Sequence, residues 1–178
     1  AAVVAIARPG ALAVVDDYAR DISQEIDDPI IREILAETHG CIIYQESLMA
    51  ILNRVYGLPK EEGEILRKIV GKKLTDKVGE WKEKIYKAGE ERGVPEETTD
   101  WFWSTVKASA DYLFNKSHSY SYGELSAETI YLKHYYPQHF FLESLKMALE
   151  KPDPLGDISE IEEELGEFGI ELLPPDLV

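Results

Sequence analysis

Apolar residues recur along most of this chain at three- and four-residue intervals, the spacing that lines one face of an α-helix. Between Cys41 and Tyr56 the positions Tyr44, Leu48, Ile51, Leu52 and Val55 follow it, and Gly57-Leu58-Pro59 ends the run. Pro59 then opens a helix over Lys60 to Val70, with Glu61, Glu62 and Glu64 suiting its positive end and Gly71 its C-cap. A longer, charged helix is predicted from Lys73 to Arg92, carrying Val78, Trp81 and Ile85 on one side. Gly93-Val94-Pro95-Glu96 restarts the chain into Glu97 to Leu113, where Trp101, Phe102, Val106, Ala110 and Leu113 form an apolar stripe. Ser119 or Ser121 is expected to cap the next helix, which carries Leu125, Thr129, Leu132 and Tyr136 before Pro137 breaks it. His139 to Glu150 predicts a further helix, Lys151 to Pro154 a linker, and Ile158, Ile161 and Leu165 a last amphipathic helix. A short helix fits Pro29 to Glu37. Ala1 to Ala7 suits a buried strand or a short helix; it meets Arg8-Pro9-Gly10 and is read here as a strand. Ile170 to Leu173 is expected to pair as a strand before Pro174-Pro175. The pattern predicts a mainly α, multi-helix protein with minor extended segments at both ends.

At 178 residues the chain has room for one large or two small domains and a sizeable core. The expected division is a leading segment over 1–28, a helical core over 29–150, and an acidic helix with a terminal strand over 151–178. No apolar run reaches the roughly 18 residues of a membrane span, and Ala1 to Ala7 lacks the basic start of a signal peptide. The one cysteine, Cys41, excludes an internal disulfide and multi-cysteine zinc patterns and points to a cytoplasmic setting. The chain opens on Ala, as expected of a domain cut from a longer polypeptide or of a product that has lost its initiator Met. Its net charge of −15 opposes a protein that coats nucleic acid. That charge is uneven, however. Lys60 to Arg92 holds ten Lys or Arg against eight Asp or Glu, whereas Asp153 to Asp176 holds nine acids and no base.

Two polar constellations carry candidate chemistry. In the first, Lys68 and Lys72 share a helix face, and Gly71 lets Lys73 converge with them, with Arg67 and Lys77 close by. Guanidinium and ammonium groups there suit a triphosphate or a nucleic-acid backbone. Solvated cations at a helix C-terminus are the competing reading, and the stronger one for this group alone. In the second, Asn115, Lys116, Ser117, His118 and Ser119 stand between two aromatic, helix-like stretches. They form either an N-cap loop or an anion site in which Lys116 adds charge and His118 donates to a phosphate oxygen. Both readings stand on the residues. His39 and Cys41 flank Gly40 without the third group of a Cys–His nucleophile, His134 and His139 are poorly spaced for a metal, and Asp16-Asp17 reads as solvent-exposed. Most aromatics fall in the predicted core; Trp103 and Tyr122 are the two expected at the surface.

Several motifs in order resemble the fingers region of the family C DNA polymerases, the bacterial replicative DNA polymerase III α subunits. Arg8-Pro9-Gly10-Ala11-Leu12 with Val15-Asp16-Asp17-Tyr18 is similar to the start of that region. Glu37-Thr38-His39-Gly40 followed by Ile42-Ile43-Tyr44-Gln45-Glu46 resembles E-x-x-G-(I/V)-(I/L)-Y-Q-E. Leu66 to Lys73 resembles L-R-R-A-M-G-K-K, and Phe114 to Ser119 is identical to F-N-K-S-H-S. Tyr131-Leu132-Lys133, Tyr136-Pro137 and Gly169-Ile170-Glu171 with Leu173 to Asp176 complete the order. The chain departs from the pattern where Lys68 replaces a second arginine, where Arg20-Asp21-Ile22 replaces a basic segment, and where Asp111-Tyr112-Leu113 replaces G-Y-G.

The resemblance implies a fingers-type domain that binds the triphosphate of an incoming dNTP and template-primer DNA. Arg67, Lys72 and Lys73 are implied as the main phosphate contacts, with Lys68, Lys116 and His118 beside them and Asn115, Ser117, Ser119 and Gln45 as supporting polar groups. It further implies palm and thumb domains as partners and a sliding clamp reached only through the parent enzyme. Two Mg2+ ions would be held by palm aspartates outside this chain, so no catalytic residue is expected here and the chain alone is expected to be inactive. On this reading the two cationic constellations meet in the fold. The alternative is a non-catalytic helical interaction module built on the same scaffold, its acidic tail serving a protein partner.

Overall fold

The computed structural model describes residues 2–7, 9–72, 75–109 and 112–173. Among these, ten α-helices and three short 3-10 segments account for the regular structure, and the one extended pairing is an isolated parallel bridge between Tyr44 and Phe114. The chain divides into two compact units, Ala1–Gly123 and Glu124–Val178.

The first unit holds α1 (Ala2–Ile6), α2 (Val15–Arg20), α3 (Pro29–Leu35), α4 (Gln45–Arg54), α5 (Lys60–Gly71), α6 (Thr75–Arg92) and α7 (Glu96–Ser109). The opening turns of α8 (Lys116–Tyr135) also belong to it. Helix α3 starts where the sequence makes starting easy: Asp28 Oδ1 accepts from the amides of Ile30 (2.8 Å) and Ile31 (2.9 Å), and Pro29 has no amide to satisfy. Helices α4 and α5 form an antiparallel hairpin closed by residues 55–59. Asn53 Nδ2 donates to the Leu58 carbonyl at 3.1 Å, and Arg92 Nε reaches back from α6 to the Val55 carbonyl at 2.8 Å. The two helices lie close because Gly63 faces Met49: a Cβ there would stand 3.1 Å from the Met49 Cα.

The core of this unit is the predicted stripe material. Ile31, Leu35, Leu48, Ile51, Leu52, Leu66, Ile85, Phe102 and Val106 are buried together, and Tyr56 stacks on Phe102 with ring centroids 5.0 Å apart. Burying a side chain of this kind stabilises by about 1.5–3 kcal/mol, so this cluster fixes how the helices meet. A second, smaller cluster gathers Ala5, Ile6, Cys41, Ile43 and Tyr44, with Phe114 against it.

The second unit holds the remainder of α8, α9 (Pro137–Ala148) and α10 (Pro154–Glu167). Phe141, Ala148 and Leu165 are buried among its described residues, and Phe141 meets Phe168 edge to face at 5.2 Å. The Lys133 ammonium pairs with Glu164 and stands 5.5–5.9 Å from the ring centres of Phe140, Phe141 and Phe168. Asp153 Oδ1 caps α10 through the Gly156 amide at 3.2 Å.

The mainly α prediction holds, and the deviations are local. Ala2–Ile6 is helix α1 and not a strand, since Ala5 and Ile6 both bury into one small cluster, as a helical turn allows. Ile170 to Leu173 forms no strand, for no described segment runs beside it, and Pro174-Pro175 lie outside the described residues. Cys41 to Ile43 precede α4 as extended chain, and α7 stops at Ser109, leaving Leu113 in the approach to the Tyr44–Phe114 bridge. Gly71 is the last residue of α5, and Lys72 is its C-cap. Asn115, not Ser119 or Ser121, caps α8; Ser119 is buried one turn inside it.

Candidate functional site

Three elements from distant parts of the sequence converge at the start of α8. Phe114 lies beside Tyr44, with the Phe114 amide donating to the Ile43 carbonyl (2.9 Å) and the Gln45 amide donating to the Phe114 carbonyl (3.0 Å). Gln45 Nε2 adds a bond to the Leu113 carbonyl at 3.1 Å. Side chains then supply acceptors to the Lys116 and His118 amides of the α8 start. Glu46 Oε2 accepts from the Lys116 amide at 3.0 Å, and Asn115 Oδ1 accepts from the His118 amide at 2.9 Å and from Ser117 Oγ at 2.6 Å. Helix starts leave such amides without intrahelical partners and favour negative charge there, and Glu46 supplies both the acceptor and the charge.

Lys116 points from this helix start toward the turn after α3. Its Nζ pairs with Glu37, and the Tyr120 hydroxyl donates to the other Glu37 oxygen at 3.1 Å. The Glu37 hydrogen bond, reinforced by its charge, raises the Lys116 pKa above its ordinary value. The same ammonium stands 5.8 Å from the ring centres of both Tyr44 and Tyr120. Ser119 is bonded to the Tyr44 hydroxyl, and burial raises the pKa of that phenol. The His118 ring is exposed, stacked on Phe114 at 5.5 Å and tilted against Tyr122 at 5.8 Å.

The other cationic group sits on the second half of α5. Arg67 grips Glu64 with two nitrogens, Nε at 3.0 Å and Nη2 at 2.9 Å, and Lys68 Nζ shares that carboxylate at 3.2 Å. Hydrogen bonding to Arg67 holds the Glu64 carboxyl below its usual pKa. Lys72 is exposed at the end of the helix and makes no ion pair among the described residues. Lys77 is exposed on α6, and Lys73 lies outside the described residues, as does Asp111.

The fold relates the two groups through the α4–α5 hairpin. Since Met49 faces Gly63 and the helices run antiparallel, Arg67 stands level with Gln45, one helical turn along each. Gln45 is the residue bonded to Leu113 and Phe114. Lys116 and His118 therefore follow from the end of the hairpin that also carries Arg67, Lys68 and Lys72. No bond or ion pair joins Lys116 or His118 to Arg67, Lys68 or Lys72 among the described residues. Of the two aromatics expected at the surface, Tyr122 is exposed (54%), but Trp103 is buried (6%) and belongs to the main core. Glu37, Glu46 and Tyr120 were not anticipated; the only signal was the presence of Glu37 and Glu46 in the E-x-x-G and Y-Q-E segments.

Two chemistries remain outside this site. Burial pushes the Cys41 thiol up to about 11, which suits an inert core residue. No three His, Cys, Asp or Glu side chains converge as metal ligands would among the described residues. No helix among them is long and apolar enough to cross a membrane.

The family described as bacterial DNA polymerase III alpha subunit finger domain matches residues 1–93. A DNA polymerase III subunit alpha of Aquifex aeolicus is 37% identical over 182 residues, covering 99% of this chain and 15% of that protein. The subunit of Thermus aquaticus is 33% identical over 187 residues, with the same two shares, and that of Mycobacterium tuberculosis is 34% identical over 191 residues, covering 99% and 16%. The chain thus spans about 15% of the length of the curated relatives it matches.

Proposed function

The chain belongs to the family of bacterial DNA polymerase III α-subunit finger domains, and from that premise we propose that it is the fingers portion of a DNA-directed DNA polymerase. It holds the triphosphate of an incoming dNTP and the phosphates of template-primer DNA during nucleotidyl transfer. The observation that carries this reading is the shared hairpin end: Arg67, Lys68 and Lys72 on α5, with Lys116 and His118 on the helix start tied to Gln45. Cations from two elements around one end suit a chain of phosphates, since each can take a different oxygen.

Their contribution is electrostatic. Arg67 offers a planar fork to two phosphate oxygens, Lys72 and Lys116 add point charges, and His118 donates a hydrogen bond. Fixed cations hold the α-phosphate in line with a primer 3′-hydroxyl and stabilise the charge that builds on the leaving pyrophosphate. Mg2+ is the ion expected for the parent enzyme. That ion is assigned to palm aspartates of the parent enzyme, and palm, thumb and, through them, a sliding clamp are the expected partners in the cytoplasm.

A second reading, a helical interaction module that no longer selects nucleotides, draws support from the pairing of Arg67 and Lys68 with Glu64. Charge reversal separates the two. With Arg67→Glu or Lys72→Glu in this chain, anisotropy titrations of a labelled primer-template at several salt concentrations should show weaker binding and a log–log salt slope shallower by about one per substitution. Parental affinity and slope in both variants would overturn the polymerase reading in favour of the module.

A further inference from the structure

We propose that Glu37 is a resident counter-ion of the phosphate site, holding Lys116 and Tyr120 until a phosphate oxygen takes its place. The inference rests on the phosphate reading above and adds to it a residue that sets how strongly the site discriminates between anions.

Three observations carry it. First, Glu37 accepts from Lys116 Nζ and from the Tyr120 hydroxyl through different oxygens, with Tyr120 at 3.1 Å. An ammonium and a phenol converging on one small anion from a single helix would serve a phosphate equally well. Second, the pair remains open to exchange: the Lys116 and Glu37 side chains retain 36% and 37% of their exposure. A pair so exposed is weak, typically about 0.2–1 kcal/mol, so a polyanion can displace it. Third, the turn that presents Glu37 is fixed. Thr38 is fully buried, with Oγ1 bonded to the carbonyls of Leu35 (3.2 Å) and Cys41 (2.7 Å), and His39 Nδ1 lies 2.9 Å from the Tyr18 carbonyl. The carboxylate is therefore positioned by the fold, while only its outer atoms and those of Lys116 need move.

Glu46 does not share this role. Its partner is the Lys116 main-chain amide at 3.0 Å, and removing it would leave a helix-start amide without an acceptor. Glu37 is bonded to side chains, which can turn to a new partner at little cost. A phosphate drawn to Lys116 finds the Lys116 and His118 amides already bonded and the side chains exchangeable.

The test compares Glu37→Gln, Lys116→Gln and the double variant in the 178-residue chain, titrated with inorganic tripolyphosphate by calorimetry. Glu37→Gln should bind about two- to five-fold more tightly than the parent, and the gain should vanish in the double variant because it acts through Lys116. Unchanged or weaker binding by Glu37→Gln while Lys116→Gln loses affinity would overturn the exchange and leave the phosphate reading intact. If Lys116→Gln, Arg67→Glu and Lys72→Glu all bind tripolyphosphate like the parent, both fail. Should Glu37→Gln not fold, the carboxylate carbon resonance of Glu37 in the unaltered chain decides. A shift that saturates with tripolyphosphate supports the exchange, and an unmoved resonance overturns it.

Discussion

Gly40→Ala is expected to destabilise the first unit by about 2–5 kcal/mol, and the reasoning can be separated into two parts. Gly40 has φ +85° beneath the turn that carries Glu37, and a Cβ there would stand 2.7 Å from the Ser23 nitrogen and 2.9 Å from the Ile22 carbonyl carbon. The left-handed backbone costs a side-chain-bearing residue roughly 1–2 kcal/mol. Both neighbours are main-chain atoms and cannot rotate away, so relieving the overlap adds about 1–3 kcal/mol. Gly93 provides the control: its φ is +71° and no heavy atom lies within 4 Å of its Cβ position, so Gly93→Ala bears only the first cost. Both glycines and all three tryptophans, Trp81, Trp101 and Trp103, belong to the first unit, so urea unfolding followed by tryptophan fluorescence reports the right cooperative block. Gly40→Ala should exceed Gly93→Ala by about 1–3 kcal/mol at unchanged m-value. Equal losses in the two variants would refute the claim that main-chain contact at Gly40 locks the turn.

Two further perturbations address other parts of the molecule. Lys133→Met removes an ammonium held by Glu164 and by three aromatic rings at 5.5–5.9 Å; a loss of about 1–2 kcal/mol should appear as faster amide exchange in α9 and α10, and unchanged protection would show the cage to be inert. The Cys41 thiol, pushed up to about 11 by burial, stays protonated in the folded chain above the pH at which an unfolded thiol ionises. Its stabilising effect is therefore intact below about pH 8.5 and lost as pH rises toward 11, at up to about 1.4 kcal/mol per pH unit; Cys41→Ala should flatten the alkaline limb of stability against pH, and an unaltered limb would exclude this cause.

Helix positions were legible because the stripes are long and amphipathic: the Leu48, Ile51, Leu52 and Val55 series and the Phe102 and Val106 series both end up in one core. The misreadings fall where a short apolar run carries no period. From Cys41 to Ile43 the residues alternate between two cores, with Ile42 in the large cluster and Cys41 and Ile43 in the small one, which Tyr44 then joins. That is a period of two, hidden because it ran directly into a helical stripe. Ala2 to Ile6 was ambiguous for the same reason, being too short to show three-residue spacing. The α8 start was placed a turn late because Ser119 and Asn115 are both plausible caps by type, and only the Phe114 bridge fixes which one stands at the helix end. Trp103 was misjudged because the apolar stripe of α7 is wider than the period alone implies.

The candidate site was half legible, and the charged groups that were missing have one sign. Clustered Lys and Arg are visible in a sequence, since cations on one helix face are neighbours in number. Their carboxylate partners need not be: Glu64 lies within one turn of Arg67, but Glu37 and Glu46 reach Lys116 across 79 and 70 positions. In a chain of net charge −15, a patch of uncompensated cations would be drawn to any nearby acid, here or on another molecule. Local pairing with Glu37 and Glu64 is instead what, on the proposed reading, limits which anions compete. A monovalent anion gains little by replacing a tethered carboxylate, while a polyphosphate contacts several cations at once and adds their contributions. On the proposed phosphate reading, the resident acids turn a basic patch, which alone would select only for negative charge, into one that favours several linked negative groups. On the same reading, Lys72, exposed and without an ion pair among the described residues, is a cation open to such an anion.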